Sequence, residues 1–547
     1  MKRLIPTSIR LSDPFIKDQD GQITVFLSLL FFLILGVCLL VFSGMREYNK
    51  SSLVEETFDL AGEDILANYD IPLYERYHLF LMDPREEAYL VTDGKSRVEE
   101  SFQSAGFMTG IDCEITLDDS KKALDDDGKT ILKQIKEWET VYGIRKIPNV
   151  LNQLLKSTEK EDTIEKAISA GESSIASADS AEDASDSADG KHGLSESSGS
   201  GASSSDMEES GEKNSDQEES EEEKRVKKTW KDWKKVLTTV FDSGILLYVV
   251  DDKSSISSLQ LASTSELPSE NRFSNRTSFS LDHMDLTGFS KLKDLCQEGI
   301  SVDWDSSLLT SDVYLLPYIF DCFSHYRNLD QEYTHRLSYE IEYMVAGKKS
   351  DRANLKYVAD QLFLLRFLTN YGYALGDSVI TDEADVMATV LTGILRFPQA
   401  KDAVKALLVA SLAYGESLLE VRALFQGQKV ALVKSRESWN LSFATAPAKL
   451  LGSADIISVE QGVGYEQYLA MLLVIRSGSR KILYRMLDIM QSNITLEEPE
   501  FLMKECIYSF DWTGQFSWSP FVKKIAAFGL SNKENYAMKI RRTVNYE

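Results

Sequence analysis

The sequence predicts an α+β protein with an N-terminal transmembrane helix continuing into an amphipathic helix, a small mixed sheet, and a predominantly helical C-terminal half. Three observations predict it. Ile23–Phe42 is an uncharged apolar run of 20 residues. Short segments of strand character, among them Ile111–Leu117 and the alternating Tyr536, Met538, Ile540, Val544, Tyr546, supply the sheet. From about Tyr314 to Phe425 the apolar residues recur at helical spacing, as in Leu355, Val358, Leu362 and Leu365.

The apolar run matches a hydrocarbon core of about 30 Å at roughly 1.5 Å rise per residue. A cleaved secretory signal, with cleavage near Ser43 or Gly44, is the competing reading, but such apolar regions are usually shorter. Lys2, Arg3, Arg10 and Lys17 precede the run, and Arg46 and Lys50 follow it. That modest cationic excess keeps the N-terminal tail in the cytosol and places the body outside it, as a single-pass protein of the cell membrane.

Beyond the span, Val54, Phe58, Ala61, Ile65 and Tyr69 predict an amphipathic continuation of the same helix, ended by Asp70 and Pro72. Tyr77–Met82 reads as a strand, and Lys129–Tyr142 reads as a helix with Ile131, Ile135 and Trp138 on one face. From Glu159 to Arg225 there is no aromatic residue, and Ser, Ala, Gly, Asp and Glu dominate, so no core is expected there. Within it, Gly171–Glu223 holds 17 acidic residues against Lys191 and Lys213, more than half of the net charge of -26. Order resumes at Trp230 and Trp233 with a helix leading to Gly244–Val250 (GILLYVV), read as a buried strand. Gly427 ends the helical stretch, and Lys429–Val433 reads as a further strand.

The resulting division is a cytosolic basic tail (1–22), the transmembrane helix (23–42), a helix with a small α+β part (43–158), and an acidic disordered linker (159–225). A continuation of the α+β part (226–300) and a mainly helical domain with terminal strands (301–547) follow.

No residue pattern specifies chemistry. The charge balance lacks the basic footprint of nucleic-acid binding. Cys38, Cys113, Cys296, Cys322 and Cys506 show no Cys-x-x-Cys spacing, and their disulfide state is open, with free thiols the simpler reading. His325 and His335, ten residues apart, share no helical turn, and the remaining His78, His192 and His283 are scattered, so no metal set is assigned. Asp125, Asp127 and Gly128 superficially suggest a calcium loop, but its first and last ligands would be Ala123 and Gln134, and a helix-initiating turn is the better reading. Glu340 and Glu416 are the carboxylates one would nominate for glycosidase chemistry, against a default of structural ion pairs with Arg366 or Arg422. No catalytic, cofactor-binding or metal residue is assigned, and no cofactor is expected.

Gly21–Asp70, with its basic tail, glycine, apolar span and Arg-containing amphipathic helix, resembles the N-terminus of TadE/TadG-like proteins of tight-adherence pilus and secretion systems. The segments LSYEIEYMVAGKKSDRANL (Leu337–Leu355), LAYGESLLEVRALFQGQKVALVKS (Leu412–Ser435), GYEQYLAMLLVIRSGSRKILYRMLD (Gly464–Asp488) and DDDGKTILKQIKEW resemble an uncharacterised clostridial family found with Tad-like pilus genes. The resemblance implies a non-enzymatic envelope component whose partners are the membrane and other pilus or secretion subunits, met through the span and the helical half. Pilin-type substrates of prepilin peptidase carry a glutamate five residues after the cleaved glycine; counted from Gly21 that position is Phe26, which favours an accessory or anchor subunit over a polymerising pilin. The alternatives are a cell-surface binding or sensing module and a wall-directed hydrolase.

Overall fold

The computed structural model describes residues 19–83, 87–104, 110–142, 221–261, 266–270, 315–330, 332–394, 396–452, 462–477, 479–519 and 535–546. The stretch read as an acidic linker lies almost wholly outside the described residues, as do His192, His283 and Cys296. The described residues divide into two compact units. One is drawn from Met1–Glu75, Leu79–Thr130 and Lys504–Glu547, the other from Arg76–His78 and Ile131–Met503. The terminal strands thus join the unit that carries the apolar helix.

In the first unit, α1 (Gln19–Leu66) is one uninterrupted helix of 48 residues. Its Ile23–Phe42 part is exposed at nearly every position, as a membrane-facing surface would be. Three turns later the same helix buries Val54, Phe58, Ala61 and Ile65. The 4-3-4 spacing read from the sequence is therefore the face that packs on the sheet. Asp70 Oδ1 then accepts from Leu73 N at 2.7 Å, an N-cap that opens α2 (Ile71–Tyr77) with Pro72 in its first turn. This corrects the strand expected over Tyr77–Met82. Tyr77 closes a helix, His78 takes a positive φ of 56° that breaks extended backbone, and only Met82 pairs, as an isolated bridge to Ile507.

After α3 (Glu87–Ser104), the strands β1 (Ile111–Lys122), β2 (Ile507–Trp518) and β3 (Tyr536–Asn545) form an antiparallel sheet in the order β1-β2-β3. Ile111 faces Trp518 and Leu117 faces Trp512, while across the other edge Trp518 faces Tyr536 and Ser509 faces Asn545. The pairing is wholly antiparallel, so the sheet is not mixed. Its core is aromatic: Phe58 of α1 stacks on Trp512 with centroids 4.2 Å apart and meets Phe516 edge-on at 5.7 Å. Two helices can close over Trp512 because they present glycines to it. A Cβ on Gly94 would sit 2.7 Å from the Trp512 ring, and one on Gly62 3.2 Å from it.

The second unit is helical. It contains α4 (Lys129–Tyr142, beyond its first two residues), α5 (Glu221–Ser243), α6 (Ile245–Val249), α7 (Leu315–Cys322) and α8 (Glu340–Ala346). There follow α9 (Asp351–Gly376), α10 (Ser378–Ile394), α11 (Lys401–Phe425), α12 (Ala446–Leu451), α13 (Tyr465–Ser477) and α14 (Ser479–Ile494). The expected strand over Gly244–Val250 is instead the short helix α6. Gly244 at φ 77° breaks the chain after α5, Val250 N then donates to Leu246 O four residues back, and Ile245, Leu246 and Val249 are buried. A short apolar run has no period with which to tell a buried strand from a buried helical turn. Nor is Lys429–Val433 a strand. Among the described residues only Val430 forms a bridge, with Val463, and Leu432 O accepts from Arg366.

Candidate functional site: buried charge networks of the helical unit

The residues with the strongest electrostatic perturbation cluster inside the helical unit. Arg366 lies mid-way along α9 in the apolar run LFLLRFL, and Glu416 and Glu420 sit one turn apart on α11. The pairing of α9 with α11 brings them together. Arg366 donates from Nε and Nη2 to the two oxygens of Glu420 at 2.8 and 3.0 Å, a bidentate pair, and from Nη1 to Tyr468 Oη at 2.9 Å. Lys434, delivered by the chain after α11, places Nζ 2.6 Å from Glu416 Oε1 and 2.8 Å from Glu420 Oε1, and donates to Ser438 O at 2.7 Å. Asn370 donates to Glu420 and Ser417, and Asn440 donates to Glu416 from both its backbone and its side chain.

Two cations and two anions are thus removed from water together, each at most 2% exposed. Burial raises the pKa of Glu416 despite Lys434. For Glu420 burial acts in the same direction but is outweighed by Arg366 and Lys434, which hold it below the ordinary value. Every oxygen of the two carboxylates has a fixed donor, which is the arrangement of a structural quartet.

A second network surrounds the first turn of α8. Glu340 Oε2 accepts from Ser324 N at 2.9 Å, and its Oε1 meets His335 Nδ1 at 2.8 Å and Asn493 Nδ2 at 2.6 Å. The other ring nitrogen of His335 lies 2.9 Å from Asp330 Oδ2. Burial disfavours the charged imidazole, but the hydrogen bonds and charges of Glu340 and Asp330 outweigh it and raise the His335 pKa. Two residues on, Glu342 Oε1 accepts from Tyr465 Oη at 2.7 Å and from Tyr326 N at 2.9 Å, while its buried Oε2 has no partner among the described residues. Burial pushes that carboxyl up to about 7, against the two donors. Asp351, at the start of α9, accepts from Ser257 Oγ, Ser338 N and Tyr339 N. At the far end of α8, Arg485 caps the carbonyls of Met344 and Val345 at 2.7 Å, and Gly347 at φ 64° leaves the room its guanidinium occupies.

The residues nominated from sequence fall into separate places. Glu340 and Glu416 belong to different networks and share no hydrogen-bonding partner among the described residues. Their partners also differ from those expected: Glu416 pairs with Lys434, Arg366 with Glu420, and Arg422 with Asp251 at 3.1 Å. His325 and His335 likewise share no partner. His325 accepts from Arg327 N on Nδ1 at 3.3 Å, and burial with the Arg327 charge lowers its pKa to about 4, which keeps it neutral. In the segment likened to a calcium loop, Asp126 accepts from Lys129 N and Thr130 N and Asp125 accepts from Lys122 N, so it is the cap of α4. Glu342, Glu420, Lys434 and Asp351 were not singled out by sequence. For Arg366 a signal exists, since it interrupts the apolar run LFLLRFL; Glu420 shares its helix face with Glu416 and Ser417, and Lys434 carries no such signal.

A family model described as a family of unknown function, DUF5702, matches residues 217–518. The chain belongs to this family. The DUF5702 match begins just before α5 and ends at the last residue of β2, so both charge networks fall within it. No curated protein and no solved structure matches the chain.

Proposed function

We propose that this DUF5702 protein is a non-enzymatic, single-pass component of a cell-envelope assembly of the Tad-like pilus or secretion type. Its N-terminus is cytoplasmic and its body extracytoplasmic, and it serves as an accessory or anchor subunit. One observation carries the reading: a single helix runs from the Ile23–Phe42 segment, exposed at nearly every position, into the core of the sheet unit, where Val54 and Phe58 are wholly buried. The membrane segment and the folded unit are one mechanical piece, as suits a subunit that transmits position rather than one that tethers a free enzyme.

The saturated carboxylates support the non-enzymatic part, because Glu340 and Glu416 are 0% exposed and fully engaged by structural donors. The Tad-like part rests on the sequence resemblance together with Phe26, which removes the intramembrane carboxylate a polymerising pilin uses. The test is capture of the full chain from membranes in mild detergent after cross-linking. Co-purification of further subunits with N-terminal apolar helices is expected, and it should persist when Gly171–Glu223 is deleted. Recovery of the chain alone, with turnover of wall fragments that Glu340→Gln or Glu416→Gln abolishes, would replace this reading with the hydrolase.

A further inference from the structure

The contacts of the first unit fix how its sheet stands on the apolar helix. Glu47 Oε2 accepts from Trp518 Nε1 at 2.7 Å, and the Trp518 ring lies against that of Tyr536, its cross-strand partner, with centroids 6.2 Å apart and planes 25° apart. Farther along, Asp59 accepts from Arg542 Nε at 2.7 Å, a Cβ on Gly62 would lie 3.0 Å from Val544, and Leu66 O accepts from Tyr546 Oη at 2.8 Å. Positions 47, 59, 62 and 66 of α1 therefore meet the neighbourhood of 536 and then 542, 544 and 546 of β3 in order. The lengths agree, since Glu47 to Leu66 rises about 28 Å as helix and Tyr536 to Tyr546 advances about 33 Å as strand. The sheet runs along the helix axis with its Trp518–Tyr536 end toward the apolar segment.

Glu47 lies five residues past Phe42, about 7 Å along the axis, and a helical side chain leans back toward the N-terminus. The polar layer on each side of the hydrocarbon is about 5–8 Å deep. Among the described residues of this unit beyond Phe42, the exposed large apolar or aromatic side chains are Met45 (62%), Tyr48 (75%), Leu60, Ile71 and Tyr536 (51%). Three of these five belong to this end. Tyrosine, with an apolar ring and a polar tip, is the residue type that settles at a membrane–water interface.

We propose that the Trp518–Tyr536 end of the sheet is seated in the lipid headgroup layer on the side of the membrane that carries the body, with Tyr536, Tyr48 and Met45 facing lipid. The inference rests on the spanning reading of Ile23–Phe42. Glu47 holds the Trp518 indole, Trp518 backs the Tyr536 ring, and β2 and β3 carry that contact up the length of α1. The unit then stands at a fixed height and rotation on the bilayer.

The test uses the full chain in vesicles of phosphatidylcholine and phosphatidylglycerol, with the photoreactive p-benzoylphenylalanine introduced singly at Val37, Tyr48, Tyr536 or Ile71. Lipid adducts are counted by mass after irradiation. Adducts at Val37, Tyr48 and Tyr536 should each exceed those at Ile71 several-fold. Adducts at Val37 with Tyr536 no higher than Ile71 overturn the seating and leave the span intact, even if Tyr48 reacts. Absence of lipid adducts at Val37 overturns the span and the seating together.

Discussion

Replacing Lys434 by methionine removes the cation that bridges Glu416 and Glu420 while keeping an unbranched chain of similar length. In the native unit its Nζ lies 2.6 Å from Glu416 and 2.8 Å from Glu420, and Arg366 contacts only Glu420. Lys434→Met leaves two buried carboxylates with a single guanidinium, and Glu416 keeps only its donors from Asn440. Breaking a buried pair by removing one partner costs about 3–5 kcal/mol. For a folded unit of this size that corresponds to a fall in melting temperature of roughly 10 °C. The Trp439 ring lies 5.5 Å from Lys434 Nζ, so urea unfolding followed by tryptophan emission reads the site directly. Burial already raises the Glu416 pKa, and loss of Lys434 raises it further. The deficit of the variant should therefore shrink as the pH is lowered and Glu416 becomes neutral. Lys434→Met/Glu416→Gln should recover about 2 kcal/mol of the loss, because no orphan charge remains. A single-variant loss below about 1 kcal/mol, or a double variant showing the sum of the two single losses, would refute the quartet as a coupled unit.

Other expectations follow from the same geometry. The Glu342 carboxyl is raised to about 7, so the fold binds its proton more tightly than the unfolded chain does, and the contribution of this group falls as pH rises from about 4.5 through 7. Glu342→Gln keeps an acceptor for Tyr465 and Tyr326 and should stabilise the unit by roughly 1–3 kcal/mol at pH 8 but not at pH 4, as read by denaturant midpoints. His335 has the same sign in a higher window: its pKa is raised above 6.5, so its pairing with Glu340 and Asp330 is fully present below pH 6.5 and is lost as pH rises through the folded value. A histidine NMR titration should show it holding its proton above pH 6.5, and a value at or below 6.5 would sink that assignment. Gly94→Ala gains up to about 1 kcal/mol in helix propensity but drives a Cβ to 2.7 Å from Trp512, so a net loss of about 1–3 kcal/mol is expected in thermal unfolding.

What the sequence made legible follows where one face decides the structure. The Val54–Ile65 face of α1, the Lys129–Tyr142 helix, β1 and the half-exposed edge strand β3 carry a period set by one-sided burial, while α9 and α11, buried on most or all faces over much of their length, are legible from the length of their apolar stretches. Strand β2 carries none. As the central strand packed by helices it is buried at almost every position, and its Asp511, Gly514 and Gln515 read as loop residues. Gly514 is there because a Cβ would strike Phe516 and Phe58. Of the three expected strands that are not strands, Tyr77–Met82 and Gly244–Val250 are short apolar runs whose fate is set by an upstream cap or glycine. The charge networks were half legible. A lone Arg366 inside LFLLRFL announces a buried partner, but which carboxylate meets it depends on how α9 lies on α11, and Lys434 arrives from a segment with no periodicity at all.

The most direct test of the central claim, that one helix crosses the membrane and continues into the folded body, is protease treatment of wall-stripped cells making the full chain with an N-terminal epitope. Digestion of the body with survival of a short membrane-bound fragment carrying the epitope, resistant to alkaline extraction, is the result expected. An intact chain after protease, or release of the whole protein by alkaline extraction, would contradict it.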